Sequence, residues 1–259
     1  MSNTDQASTT LGHPHITFDT LPSTSQYLKD WVRDSHRPPP ASGTLVSARV
    51  QTSGYGQHGR NWSAVPGRAL TFSIWIPGIP VAHLTIRAAL GMAEALDMVL
   101  PPGLVRLKWV NDLVVEGRKL GGILAEGLSG GSPDRTGTVL GIGINLQAPH
   151  DIPHATGLLA HLASTGQDPP LAGPPVEVLM TTLMHHLATW FDTDRDPVAC
   201  YRLRMCHLGQ RVILEQGAHL LEGIARDLDE QGNLLLERDD GTSIRCHAGT
   251  LRLADGRYA

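Results

Sequence analysis

The sequence predicts an α+β chain: a mixed, mainly antiparallel sheet with helices packed on it, followed by a small β-barrel-like module. Three observations carry that reading. Leu70, Phe72, Ile74 and Ile76 alternate with Thr71, Ser73 and Trp75, the period-two pattern of a strand. Leu84, Ala88, Met92, Ala95 and Val99 recur at helical spacing until Pro101-Pro102 ends the run. After Leu208 the pattern changes to short alternating runs split by Gln231-Gly232 and Asp240-Gly241, a β-module of about 50 residues.

In chain order, Met1 to Pro14 is rich in Ser and Thr and short of apolar residues, so residues 1–15 read as a disordered tail. Ile16 to Phe18 forms a first strand. Ser23-Thr24-Ser25 then offers caps for a helix whose Leu28, Trp31 and Val32 share a face. Thr44 to Val50 reads as a buried strand and Gln51 to Trp62 as a glycine-punctuated loop. The strand at Leu70 and the helix from Val81 to Val99 follow. Thr138 to Leu146, TVLGIGINL, is a strand whose alternate glycines leave one face almost bare. A short helix spans His154 to Ser164, and Thr165 to Pro175 is a flexible connection. Val176, Leu179, Leu183, Leu187 and Trp190 stripe a further helix, and Pro197 opens another. Residues 16–207 form the main body and 208–259 the small module.

Composition narrows the function. A net charge of −4 over 259 residues gives no basic footprint for nucleic acid, so DNA is excluded as a partner. No apolar run is long enough for a membrane span, and no charged segment precedes an apolar one as in a signal peptide; a cytoplasmic protein is the default. The 3 cysteines are not spaced as C-x-x-C, and the 13 histidines lack a third-ligand context. From Ser35 to Ala93 there is no acid, yet Arg37, Arg49, Arg60, Arg68 and Arg87 fall there, which favours an anionic ligand.

The stretch Arg106 to Glu126, RLKWVNDLVVEGRKLGGILAE, concentrates the chemistry. Val105, Leu107 and Trp109 alternate with Arg106 and Lys108, Asn111-Asp112 marks a break, Leu113 to Val115 resumes an extended run, Glu116-Gly117 signals a turn, and a second arm runs from Leu120 to Ala125. Such a hairpin gathers Lys108, Asn111, Asp112 and Lys119 near the glycines Gly121 and Gly122, a surface suited to an anion. Gly54, Gly56 and Gly59 spell G-x-G-x-x-G, but no helix opens at the third glycine and the first later acid is Glu94. A dinucleotide site requires both, so the stretch reads as a mobile loop that closes on a ligand and carries Arg60 at its exit.

Together these residues resemble the biotin protein ligases, also called biotin–[acetyl-CoA-carboxylase] ligases. The family loop GRGRxGRxW stands here as GYGQHGRNW, Gly54 to Trp62. KWPNDL…KxxGIL stands as KWVNDL and KLGGIL between Lys108 and Leu124, and GIGIN is Gly141 to Asn145. Ser23-Thr24-Ser25 and Gln51 occupy further family positions, and the likeness runs from about residue 16 to 259.

The resemblance implies a catalytic fold related to class II aminoacyl-tRNA synthetases, with an SH3-like barrel behind it. It implies activation of biotin with ATP and Mg²⁺ to biotinyl-5′-AMP, then transfer to a lysine of a biotin carboxyl carrier domain. Two anions must meet in the first step, so fixed cations have to lie between them, Lys119 first and Arg60 second. The ureido ring suits Ser23, Thr24, Ser25 and Gln51. The remaining biotin contacts fall to Gly54, Tyr55, Gly56, Gln57, Gly121, Gly122, Gly141 and Gly143. ATP falls to Arg60, Trp62, Lys108, Asn111 and Asn145, and Mg²⁺ to Asp112 by way of the nucleotide phosphates.

A homodimer through the sheet edge is a further implication, and Arg252 is the small module's candidate to reach the nucleotide. Two departures stand out: Val110 replaces a family proline, and Tyr55 and Gln57 replace loop arginines. The competing readings are a lipoate or octanoate ligase of similar fold, a biotin-responsive DNA repressor and a catalytically weakened biotin sensor. The polar set around Gln51 argues against the first. For the second, the roughly 15 residues before the first strand leave no room for a helix-turn-helix.

Overall fold

The computed structural model describes residues 11–78, 83–164 and 176–259. The tail expected at residues 1–15 lies mostly outside this range, as do the connection expected at 165–175 and the beginning of the helix expected at Val81. Seven strands form the larger sheet: β1 (His15–Leu21), β2 (Leu45–Gln51), β3 (Ala69–Pro77), β4 (Arg106–Lys108), β5 (Asp112–Val115), β6 (Arg118–Leu128) and β7 (Gly137–Asn145). Their order is β1-β2-β3-β7-β6-β5-β4. Only β1 and β2 run parallel; the other neighbours are antiparallel. The mixed, mainly antiparallel sheet is thus present.

Period-two alternation sorts the side chains of β3 and β7. Phe72, Ile74, Leu140, Ile142 and Ile144 point into the main core, which α2 (Leu84–Leu96) and, behind it, α4 (Val176–Phe191) complete. Trp75 and Val139 point the other way and pack with Leu28, Val32 and Val46 beneath α1 (Thr24–Arg33). Ser23 caps α1, its hydroxyl accepting from Gln26 N at 3.3 Å. Trp31 is half-buried and packs against the cluster that holds Leu28 and Val32. Its indole donates to the Pro38 carbonyl, and the Arg37 guanidinium lies 3.5 Å from its ring.

Two local expectations change. The stretch from Arg106 to Glu126 is a three-stranded meander rather than a single hairpin. Lys108 pairs with Asp112, so a tight reversal at residues 109–111 precedes the turn at Glu116-Gly117. In that second turn φ is 50° at Glu116 and 72° at Gly117, the left-handed pair that a two-residue hairpin connection requires. The helix expected from His154 begins only at Leu158, as α3 (Leu158–Ser164). Residues 154–156 run beside Lys119 instead: Lys119 N donates to the His154 carbonyl at 2.7 Å, and Thr156 N donates to the Lys119 carbonyl at 2.8 Å.

After α5 (Pro197–Arg204) comes a five-stranded antiparallel sheet: β8 (Arg211–Gln216), β9 (His219–Leu228), β10 (Leu234–Glu237), β11 (Ser243–Cys246) and β12 (Thr250–Leu253). The order β11-β10-β9-β8-β12 leaves β11 and β12 at opposite ends with no ladder between them, so these pairings form an open sheet and not a closed barrel. The smaller sheet is tied to the meander. Cys206 N donates to the Leu107 carbonyl at 3.0 Å, and the Trp109 indole donates to the Gly232 carbonyl at 3.0 Å.

Candidate active site

Beyond Trp75 and Val139, the sheet face that carries α1 loses its side chains. Ser73, Gly141 and Gly143 come next, and a cavity of about 200 Å³ opens over them. The glycines are required by close approach. A Cβ on Gly141 would stand 2.5 Å from Ser25 Oγ, and one on Gly143 would stand 2.5 Å from the Trp62 ring. Gly122, Lys119, Arg60 and the Gly249–Leu251 backbone of the smaller sheet complete the wall.

One end of the cavity is neutral. Thr24 N and Thr24 Oγ1 both donate to Gln51 Oε1, at 2.8 and 3.1 Å. Ser73 Oγ lies 2.7 Å from Thr24 Oγ1 and 2.9 Å from Ser25 Oγ. Thr24, Ser25 and Ser73 are buried, so these hydroxyls are held by one another and by rigid elements.

The other end is charged. Lys119 Nζ is 2.5 Å from Asp112 Oδ1, and the Tyr258 hydroxyl donates to Asp112 Oδ2. Burial alone would raise the Asp112 carboxyl, but the Lys119 and Lys108 ammonium groups, with the hydrogen bonds from Lys119 and Tyr258, hold it below the usual carboxylate range. Lys108 is 3% exposed. Burial, helped by the neighbouring charges of Lys119 and Arg60, pushes its ammonium down to about 8 although Asp112 pulls the other way.

The glycine loop is not loose along its length. Tyr55 pairs with Asn61, Trp62 N donates to the Gly54 carbonyl at 2.9 Å, and the Tyr55 hydroxyl donates to Glu126 at 2.9 Å. Lys29 joins the same carboxylate at 2.8 Å. Two aromatic residues thus anchor the loop, and the exposed tip is His58 to Arg60.

The comparisons fit this geometry. The model of the Biotin/lipoate A/B protein ligase family matches residues 17–145, and that of the Biotin protein ligase C terminal domain matches 207–250. The biotin–[acetyl-CoA-carboxylase] ligase of Mycobacterium tuberculosis is 33% identical over 205 residues, covering 75% of this chain and 73% of that one. The chain belongs to the biotin protein ligase family. The bifunctional ligase/repressor BirA of Escherichia coli is 31% identical over 231 residues, 85% of this chain and 68% of its own length. Among solved structures, the biotin protein ligase from Aquifex aeolicus in complex with biotin and ATP superposes with a TM-score of 0.75 at 25% identity. That superposition covers 93% of this chain and 99% of the other.

Most residues singled out from the biotin protein ligase pattern line the cavity, among them Ser23, Gly56, Gln57 and Asn111. Three depart from their expected places, and Asn111 lines the cavity with its amide already engaged. Gly121 faces the sheet interior, where a Cβ would meet the Gly143 carbonyl at 2.6 Å, so it does not form the slot. Gly54 makes room for the Gln51 amide, which a Cβ would approach to 2.8 Å. Asn111 spends its amide on the Ile123 carbonyl at 2.9 Å, which braces the meander. Asn145 lies at the end of β7 outside the cavity lining, with a buried Oδ1 that has no hydrogen-bond partner; Trp62 Nε1 is in the same condition.

Ser73 and Tyr258 were missed. A hydroxyl on a strand buried on both faces is a signal for Ser73; Tyr258 sits in a polar tail with no pattern, and both matched spans end before it. Arg252 is exposed on β12 and does not line the cavity.

Asp112 is the carboxylate expected to meet Mg²⁺ through the nucleotide phosphates, and it stands at the charged end of the cavity. Among the described residues no three His, Cys, Asp or Glu side chains gather as ligands, and both Asp112 oxygens are engaged.

Proposed function

We propose that the chain joins biotin to ATP as biotinyl-5′-AMP, releasing pyrophosphate, and passes the biotinyl group to a lysine amine of a biotin carboxyl carrier domain, releasing AMP. The carrying observation is one cavity with a neutral hydrogen-bonding end and a two-lysine end. A ureido ring is uncharged and offers one acceptor and two donors, which matches the hydroxyls and amide of Ser23, Thr24, Ser25, Gln51 and Ser73. Gly122, Gly141 and Gly143 give the flat bicycle and chain an approach to bare backbone.

At the other end the carboxylate has to attack phosphorus through the field of two anions. Lys119 lowers that barrier by standing where charge accumulates, and Lys108 and Arg60 hold the departing phosphates. The unpartnered Asn145 Oδ1 and Trp62 Nε1 fit an adenine amino group and ring nitrogen. Mg²⁺ enters with ATP on the nucleotide phosphates, and Asp112 is the carboxylate at that end of the cavity. A lipoate or octanoate tail would offer the Thr24–Gln51–Ser73 groups no hydrogen bond of its own.

We read residues 16–207 as a synthetase-like catalytic unit and 208–259 as a curled SH3-like unit. The free thiols of Cys200, Cys206 and Cys246 suit the reducing cytoplasm. A homodimer would pair along β1, because the β4 edge is covered by Met205 and Cys206. The test is ATP–pyrophosphate exchange with biotin, lipoate and octanoate as acids. Exchange with biotin alone is the expected result; exchange driven by lipoate or octanoate instead would replace the substrate.

A further inference from the structure

Tyr258 packs behind the cavity's charged wall, on Asp112 and Lys108, from beyond both family-matched spans, and three separate contacts hold it. Its hydroxyl donates to Asp112 Oδ2. The Lys108 ammonium lies 3.2 Å from the centroid of its ring, and the His154 ring stacks on it at 5.9 Å with 20° between planes. The next residue closes against the β5–β6 turn, where a Cβ on Gly117 would meet the Ala259 carbonyl oxygen at 2.8 Å. Burial, with the adjacent Asp112 carboxylate, pushes the phenol well above the ordinary tyrosine value, so it remains a donor. With Oδ2 taken, Asp112 has Oδ1 to offer Lys119.

Building on the adenylation reading, we propose that Tyr258 is a positioning residue for acyl-adenylate formation: it fixes Asp112 so that Lys119 is held at the cavity, and its ring shields the Lys108 ammonium from water. A carboxylate bonded through one oxygen turns readily about its last torsion and takes the bonded ammonium with it. A second, charge-assisted hydrogen bond on the other oxygen removes that freedom. An ammonium against an aromatic face is attracted to the ring without occupying an anion, which leaves its charged form available to a phosphate.

The experiment is biotin-dependent ATP–pyrophosphate exchange on the full chain and on Tyr258→Phe, Tyr258→Ala, Asp112→Ala and the double variant Asp112→Ala/Tyr258→Phe, with melting curves for each. Tyr258→Phe keeps the ring and loses only the donor. It should lower kcat about 10-fold, the worth of one hydrogen bond to a charged group, with the biotin KM within about twofold and an overlaid melting curve. Tyr258→Ala should also raise the KM for ATP. Once Asp112 is alanine, the Phe substitution should cost nothing more, since Tyr258 acts through that carboxylate. Wild-type exchange in Tyr258→Phe, or an equal loss in the Asp112→Ala background, overturns the proposal. A native chain that shows no biotin-dependent exchange overturns the activity reading and this one with it, so the two failures are told apart by the wild-type lane.

Discussion

At the Thr24 end of the cavity every contact joins neutral groups, whereas at the Lys119 end nearly every contact involves a charge. The neutral network sits on the capped start of α1 and on β2 and β3, elements packed on the core. The charged cluster sits on the strand ends of a meander and is completed by a residue 146 positions away from Asp112 in sequence. Recognition of an uncharged ring asks only for fixed geometry. Moving a negative group onto phosphorus asks for cations that are desolvated and close, and such cations need an acid to hold them. The price of that arrangement is visible in Lys108, whose burial works against its own charge.

The largest break in this comparison is expected at Lys119. Lys119→Ala removes an ammonium from the charged end, so adenylation should fall about 10²–10³-fold in a chain that still folds, with a lower melting temperature because buried Asp112 loses its ion pair. Near-native pyrophosphate exchange would take Lys119 out of the chemistry.

Next is Gln57, half-buried on the cavity wall where the family pattern has arginine. Glutamine offers a neutral hydrogen bond, and arginine a charged fork. The difference of roughly 1–2 kcal/mol corresponds to about 5- to 30-fold in a dissociation constant. Gln57→Arg should therefore slow release of labelled biotinyl-AMP by that factor; identical release rates would show that position 57 does not control retention.

At the neutral end, Ser73→Ala deletes the hydroxyl shared by Thr24 and Ser25. Biotin affinity should weaken about 5- to 10-fold, with the KM for ATP unchanged. Titration with biotin alone decides this, and a shift in ATP binding of the same size would mean that the two ends are not separate.

The smallest effect is a pH dependence confined to the charged end. Lys108 loses its proton near pH 8 in the folded chain, against a reference value of 10.5. The charged form serves ATP, so kcat/KM for ATP should fall about twofold between pH 7 and 8 as the charged fraction goes from roughly nine-tenths to half. Lys108→Met should lack that limb. The linkage runs the other way for stability. Between about pH 8 and 10.5 the unfolded chain binds more protons at this site, so the Lys108 contribution to stability rises with pH across that window.

The sequence made the neutral end largely legible, because Ser23, Thr24, Ser25 and Gln51 stand at a cap signal and a strand end that local pattern detects. Ser73 escaped because alternation in β3 was read as core against surface, while both faces of that strand are buried. At the charged end the meander's residues were found but its path was not. The sequence marked a break at Asn111-Asp112, but with no glycine or proline there nothing distinguished an interruption from a full reversal. Tyr258 was beyond reach for a different reason: its partners are set by how the smaller sheet docks on β4, a tertiary fact with no periodicity. Closure of that sheet into a barrel was expected from its short alternating runs and from the resemblance, and neither determines whether β11 meets β12.

The bare floor at Gly141 and Gly143 sets a one-way rule for anyone redesigning this pocket. There is no side chain to trim, so substitution at the floor can only add matter, and the first added carbon already meets Ser25 Oγ or the Trp62 ring. Variants at these two positions can make the protein choosier about its acid or exclude it altogether. Room for a bulkier acid has to come from the walls, where Trp62 and Ser73 are the groups that can be made smaller.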